Sequence, residues 1–305
     1  MRSGSNLERV LEAGEFAVTC ELGPPKGCDG EEVRELARLL KGSVDAANVT
    51  DNQTAVVRMS SIGAATLMLE EGLEPVMQMV TRDRNRIALQ SDILGAAAVG
   101  IKNVLCLTGD HHTLGDHPQS KAVWDIDSLQ LLSMLRNLRD EGKDWAGGEL
   151  KGVPQLFLGA AAKPFGDPTS FRVTRMAKKV NAGADFIQTQ VVYDVARFEE
   201  WMEQCRDRGL LDRTHVMGGI VPLKSAGAAR YMQKMVAGIY VPDEGGKRMK
   251  AAEKGTKEGR KIALELIEEL RTVKGNHGVH IMAIMWEKLV PKLCEEAGLL
   301  PRPKV

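Results

Sequence analysis

Several residues that could do chemistry each follow a short apolar run in this 305-residue chain. Glu21 comes first, after Phe16-Ala17-Val18 and before Pro24-Pro25, a pair that neither a sheet nor a helix continues through. Its carboxyl group is therefore placed near the C-terminal end of a first strand. An ionised carboxylate buried there without a partner costs roughly several kcal/mol. A carboxyl group in such surroundings tends to keep its proton, as a general acid working near neutral pH must. A hydrated glutamate at a strand end fits the same residues, and Glu21 alone does not separate the two. Thr108-Gly109-Asp110 is the second candidate. Glycine lets the backbone approach a flat ligand closely, and the following carboxylate can accept from an N–H-rich ring edge. A tight turn with Asp110 capping the next helix is the alternative. Thr50, Asp51, Asn52, Gln78, Thr81, Gln188 and Gln190 stand at other strand ends. Polar groups converging from several strands suit a site for a large polar heterocycle.

The elements that must position these groups alternate. Short apolar segments at 16–22, 46–50, 75–80, 103–107, 155–160, 186–189, 215–220 and 278–284 are predicted strands, covered on both faces. Amphipathic segments at 29–41, 58–71, 86–99, 127–141, 169–182, 196–208, 224–236, 247–274 and 286–297 are predicted helices. Gly72, Gly100, Gly142, Gly183 and Gly209 follow five of them, where a left-handed residue closes a helix without strain. The pattern predicts an α/β fold: a single (β/α)8 TIM barrel domain over 1–305, with an extra C-terminal helix. Its site would lie at the C-terminal ends of the strands. No Gly-x-Gly-x-x-Gly turn follows the first strand, which argues against a doubly wound dinucleotide fold.

Lysine plus arginine and aspartate plus glutamate number 41 each, so the formal charge is zero. Nucleic acid and anionic membrane are therefore not expected as partners. No apolar run approaches the about 20 residues of a membrane span, and no signal-peptide core is seen; a cytoplasmic protein is expected. The five cysteines lack C-x-x-C spacing. His111, His112 and His117 invite a metal reading. Adjacent histidines do not easily converge on one ion, and no matching acid or cysteine spacing accompanies them, so no metal site is expected. His277 and His280 fall on opposite faces of a strand, which speaks against a shared site, and Met232 and Met235 are read as packing.

Three stretches then occur in a telling order. They are Glu21 with Pro24-Pro25, Leu107-Thr108-Gly109-Asp110, and Thr189-Gln190 after Asn181-Ala182-Gly183-Ala184-Asp185. In that order they resemble the methylenetetrahydrofolate reductase family over residues 16–284, the catalytic barrel alone, and most of all its short acetogen-type bacterial form. The resemblance implies a flavin, FAD or FMN, passing a hydride from N5 to the methylene carbon of 5,10-methylenetetrahydrofolate. The product, 5-methyltetrahydrofolate, belongs to one-carbon metabolism, in methionine biosynthesis or acetogenesis. It implies Glu21 as general acid, Asp110 facing the pterin, and Gln190 hydrogen-bonding the folate. Thr50, Gln78, Leu107, Thr108, Gly109, Asp110 and Lys179 fall on flavin-contacting positions, Lys179 beside a phosphate.

The chain departs from the family pattern at Gln78, where many members have histidine, and at Thr108, where many have a bidentate arginine. Ala226 stands where an aromatic is expected, and Ala160–Lys163 lacks the adenine-side contacts. FAD or FMN, and NAD(P)H or an electron-transfer partner subunit, are thus left open, with an oligomer or hetero-complex expected. Two other readings fit a barrel of this kind: a pterin-binding methyltransferase without redox chemistry, or a scaffold subunit.

Overall fold

The computed structural model describes every residue except Ala237, and of Met235 the backbone only. A helix, α1 (Asn6–Glu12), leads into strand β1 (Ala17–Leu22). Then come α2 (Gly30–Leu40), β2 (Ala46–Val49), α3 (Ser61–Glu70), β3 (Pro75–Val80), α4 (Arg86–Ala98) and β4 (Asn103–Leu107). The second half runs α5 (Ser128–Asp140), β5 (Phe157–Ala162), α6 (Ser170–Ala182), β6 (Phe186–Val191), α7 (Val195–Asp207) and β7 (His215–Ile220). After β7 stand α8 (Ala226–Met235), α9 (Asp243–Ala251) and α10 (Gly255–Thr272), then β8 (Asn276–Ile281) and α11 (Leu289–Glu296). The strands pair in parallel in sequence order, and β8 pairs with β1, so the sheet closes into a (β/α)8 barrel.

Closure divides the apolar residues into two bodies. Val18, Cys20, Met77, Val104, Leu158 and Ile187 face outward and pack under the helices. Ala17, Ala46, Val76, Leu105, Phe157, Phe186 and Met217 face inward, and Leu7, Val10 and Leu11 of α1 close the lower end of the barrel on them. Phe157 stacks on Phe186 with ring centroids 5.0 Å apart. Gly159 makes room for this pair, since a Cβ there would run into the Phe186 ring. The short α1 is pinned at its start by carboxylates. Glu74 accepts from the Asn6 N–H at 2.6 Å and the Leu7 N–H at 2.9 Å. Burial pushes the Glu8 carboxyl up, but hydrogen bonds from the backbone N–H groups of Arg2, Ser3 and Gly4 outweigh it and hold the group below its ordinary value.

Five predicted glycine stops are found in the left-handed region: Gly72, Gly100, Gly142, Gly183 and Gly209. Other boundaries moved. β5 starts two residues later than predicted, β6 runs two residues further, and β8 covers Asn276–Ile281 instead of 278–284. The predicted helix 247–274 is two helices. α10 lays Gly255 and Gly259 against the backbone of Leu223 and Lys224, where any Cβ would collide. That close approach sets where α10 begins, and the chain breaks at Ala252 to reach it. The last helix starts at Leu289, three residues later than predicted, and α1 was not predicted. Met232 is buried, as a packing residue should be; the Met235 side chain lies outside the described residues. Among the described residues no helix is long and apolar enough to cross a membrane.

Phe186 is fully buried. Phe186→Ala is expected to lower the unfolding free energy by about 3–5 kcal/mol, measured by urea denaturation. Gly159→Ala, which overpacks the same layer, should cost about 1–3 kcal/mol.

Candidate active site

Above the apolar layer the strands open into a cavity of about 490 Å3, inside the roughly 300–1,000 Å3 of small-molecule sites. Its floor comes from inward positions higher on the strands. These are Glu21 of β1, Gln78 of β3, Gln188 of β6 and His280 of β8. Val80, Leu105, Leu107, Met176 and Met282 make its apolar walls. One side is cationic, with Lys163, Arg172, Arg175 and Lys179.

The Glu21 side chain is 17% exposed. Gln78 Nε2 lies 3.5 Å from Glu21 Oε1, and His280 Nε2 lies 3.9 Å from the same oxygen. Behind them Thr19 Oγ1 is 2.9 Å from His280 Nδ1, and Gln188 Nε2 donates to Thr19 Oγ1 at 3.0 Å. Lys179 Nζ donates to the Ala161 carbonyl. Burial, with Arg175 and Lys163 nearby, pushes the Lys179 ammonium down to about 8.

The rim is knitted from loops. The Asp110 carboxylate accepts from the Thr54 N–H at 3.1 Å, tying the loop after β4 to the loop after β2. Asp110 therefore does not cap a helix; His111 caps the short 3-10 turn that follows. Buried Arg82 donates to the carbonyls of Asp110 at 3.1 Å and Asn52 at 3.3 Å, and pairs with Asp83 at 2.6 Å. Arg84 pairs with buried Asp51 at 2.8 Å. Gly109 has φ +90°, and a Cβ there would lie 3.1 Å from Val80 Cβ and 3.2 Å from Arg82 Cβ. Asn52, Thr54 and Ala55 take left-handed φ values of 45°, 58° and 57°, a conformation that side chains other than glycine rarely hold unless their surroundings impose it.

Of the candidates named from sequence, Glu21, Gln78, Leu107, Thr108, Gly109, Asp110, Lys179 and Gln190 all line this one cavity. Thr50 does not. It is 2% exposed, and its hydroxyl has no hydrogen-bond partner among the described residues. Thr108 also accepts from the Ser128 N–H at 3.2 Å at the start of α5. His111 stacks on His112 at 4.2 Å, outside the cavity. Among the described residues no group of three or more His, Cys, Asp or Glu could hold a metal ion. His277 and His280 do fall on opposite faces: His277 sits edge-on to His215 at 5.0 Å, whereas His280 enters the cavity. His280, Arg82, Lys163 and Arg175 were not named from sequence as site residues. For His280 no local signal sufficed: Gly278, His280 and Met282 share one phase of the strand, and only the pairing of Ile281 with outward-facing Cys20 fixes that phase as inward.

Residues 6–298 match the family model described as methylenetetrahydrofolate reductase. The chain belongs to that family. Among methylenetetrahydrofolate reductases, it is 24% identical over 242 residues to a probable NADPH enzyme of Caenorhabditis elegans, covering 75% of this chain and 34% of that protein. It is 25% identical over 232 residues to the NADH enzyme 1 of Arabidopsis thaliana, covering 74% and 38%. The chain thus spans little more than a third of those relatives. Among solved structures, an uncharacterized protein from Clostridium thermocellum that binds two copies of 5-methyl-5,6,7,8-tetrahydrofolic acid superposes with a TM-score of 0.63. The two are 13% identical, and the match covers 96% of this chain and all of that one. At that identity the likeness speaks for the fold alone.

Burial and the neighbouring cations bring the Lys179 ammonium down to about 8, from the ordinary lysine value of about 10.5. Between those values the unfolded chain binds the extra proton, so stability should rise with pH, by up to about 1.4 kcal/mol per pH unit. Urea denaturation from pH 7.5 to 10.5 should show this slope, and Lys179→Met should flatten it.

Proposed function

We propose that the chain binds a flavin in this cavity and reduces 5,10-methylenetetrahydrofolate to 5-methyltetrahydrofolate, with Glu21 as the proton donor. One observation carries the reading. In a chain of this family, a carboxyl group stands on the floor of a cavity whose walls are apolar and whose far side is cationic. Those surroundings fit a flavin. The glycine at 109 leaves the backbone bare where a Cβ would press on Val80 and Arg82. Leu107, Thr108, Gly109 and Gln78 would hold the ring system, and Lys179, with Lys163 and Arg175, would hold a phosphate. When bound, the flavin supplies a hydride at N5.

The other tasks fall to side chains of this protein. The methylene bridge must open to a cation before it accepts a hydride. Glu21 gives its proton to the folate nitrogen that leaves the bridge. The Asp110 carboxylate, held at the rim by the Thr54 N–H, stabilises the positive charge that opening creates. Gln190 hydrogen-bonds the pterin, and Val80, Leu105 and Met282 keep water from the opened bridge.

The electron donor in this reading is a partner protein instead of NAD(P)H. Thr108 and Ala226 lack the guanidinium and the ring that a dinucleotide would use. The purified chain is expected to oxidise NADH and NADPH slowly and to reduce the folate readily with a chemical reductant. Brisk NADH oxidation by the chain alone would remove the partner from the scheme. Glu21→Gln should lower folate reduction about 10²–10⁴-fold while reduction of the bound flavin stays nearly unchanged, followed by absorbance in stopped flow. Loss of both steps would move Glu21 from chemistry to structure. A colourless protein would favour a methyltransferase.

A further inference from the structure

Beneath Glu21 runs a chain of buried polar side chains that a proton donor does not by itself require. Asn48 and Gln188 pair their amides across the barrel. Asn48 Nδ2 donates to Gln188 Oε1 at 2.6 Å, and Gln188 Nε2 donates to Asn48 Oδ1 at 3.0 Å. The second N–H of Gln188 goes to Thr19 Oγ1, also at 3.0 Å. The Thr19 hydroxyl proton is then free for His280 Nδ1, 2.9 Å away. A neutral imidazole that accepts at Nδ1 carries its own proton on Nε2. That nitrogen faces Glu21 Oε1 at 3.9 Å.

Thr19, Asn48, Gln188 and His280 are all at least 97% buried. Two residues lower on β1, β2 and β6 the inward positions hold Ala17, Ala46 and Phe186, all apolar. Filling the upper layer with apolar groups would avoid the cost of burying four polar ones, each of which must be paired. The polar layer therefore points to a task other than packing.

We infer that His280 is a positioning residue for Glu21, and that Asn48, Gln188 and Thr19 hold it in the Nε2–H tautomer. The inference rests on Glu21 being the proton donor. In that step the Glu21 O–H bond breaks, an N–H bond forms on the folate, and the carboxylate keeps the negative charge. His280 transfers nothing. Its N–H meets the new carboxylate from below, while Gln78 offers a second donor, 3.5 Å from the same oxygen. The 3.9 Å separation is too long for a hydrogen bond, but such contacts are often long in unliganded sites and tighten as the reaction proceeds. The proton lost is replaced by water from the open mouth. The other charged groups around the cavity are Asp51 after β2, Arg82 after β3, Asp110 after β4, Lys163 after β5, and Arg172, Arg175 and Lys179 of α6. Among the described residues none of these hydrogen-bonds or ion-pairs with Glu21. His280 is thus the ionisable group beside it.

Two measurements test this. In wild-type protein labelled with 15N-histidine, the His280 signal, assigned by its loss in His280→Phe, should report a proton on Nε2 and none on Nδ1. The reverse tautomer overturns the inference. In steady-state folate reduction with a chemical reductant, His280→Phe should lower kcat about 10–100-fold with little change in KM. Losing a donor to a carboxylate favours its protonated form, so the alkaline limb of the pH–rate profile should also move to higher pH. His280→Gln, which can place an amide N–H near the lost one, should recover most of the rate. Thr19→Val, which frees the tautomer, should lose about 3–10-fold and stands in if His280→Phe does not fold. An unmoved pH profile, or a loss that glutamine does not rescue, overturns the inference. If the wild type reduces the folate and Glu21→Gln does not, that failure belongs to His280 alone. If the wild type does not reduce it, the proposed function falls and takes this inference with it.

Discussion

The stack of Phe157 on Phe186 is the contact on which the rest of the interior stands. A closed barrel sends every second residue of each strand into one shared space, and that space must be filled or left open layer by layer. The two rings, with Ala17, Ala46, Val76, Leu105 and Met217 around them and α1 pressed up beneath, fill the lower layer. Gly159, two residues beyond Phe157 on β5, gives way to the Phe186 ring. With the lower half solid, the upper half can be given over to polar groups and a cavity without leaving a channel through the molecule.

Polarity is layered as strictly as packing. Below the aromatic pair, Asp185 is an ion-pair hub, 2.6 Å from Arg139 and 2.5 Å from Arg2. Above it, Asn48, Gln188, Thr19 and His280 form a hydrogen-bonded chain whose last member lies 3.9 Å from Glu21. Amides and a hydroxyl suit a buried layer beneath a carboxyl group, because they supply hydrogen bonds without the large desolvation cost of a second ion. Lys163, Arg172, Arg175 and Lys179 cluster on the β5 and α6 side, and there burial and mutual repulsion drive the Lys179 ammonium down. A site arranged this way sets a carboxyl group at one place and a cationic wall at another.

The rim solves a different problem. Loops at the end of a barrel have no sheet to hold them, so their order must come from contacts between one another. Asp110 on the Thr54 N–H, Arg82 on two carbonyls, and Asp116 on Lys26 at 2.6 Å join the loops after β1, β2, β3 and β4. The three left-handed residues at 52, 54 and 55 are carried by those contacts. Asp110 thus has two faces: one oxygen orders the rim, and the carboxylate as a whole lines the cavity.

Strand spacing, the glycine stops and the order of Glu21, Asp110 and Gln190 were legible in the chain because each is a local property. A left-handed C-cap needs glycine wherever it occurs, and a parallel strand covered on both faces is apolar in any barrel. The break between α9 and α10 was not legible, since it comes from backbone contact with Leu223 and Lys224, which lie about thirty residues upstream of α10. Nor was the placing of Thr50 behind the cavity wall. His280 is the clearest case. Its distance from His277 showed that the two would part, but nothing local could say which of them would enter the barrel. By itself the sequence determined eight strand–helix units and the identity of the groups at their ends. Only the closed barrel decided that His280 should lie beside Glu21, because inward phase and layer height are set by the register between β8 and β1, strands whose members are some 260 residues apart.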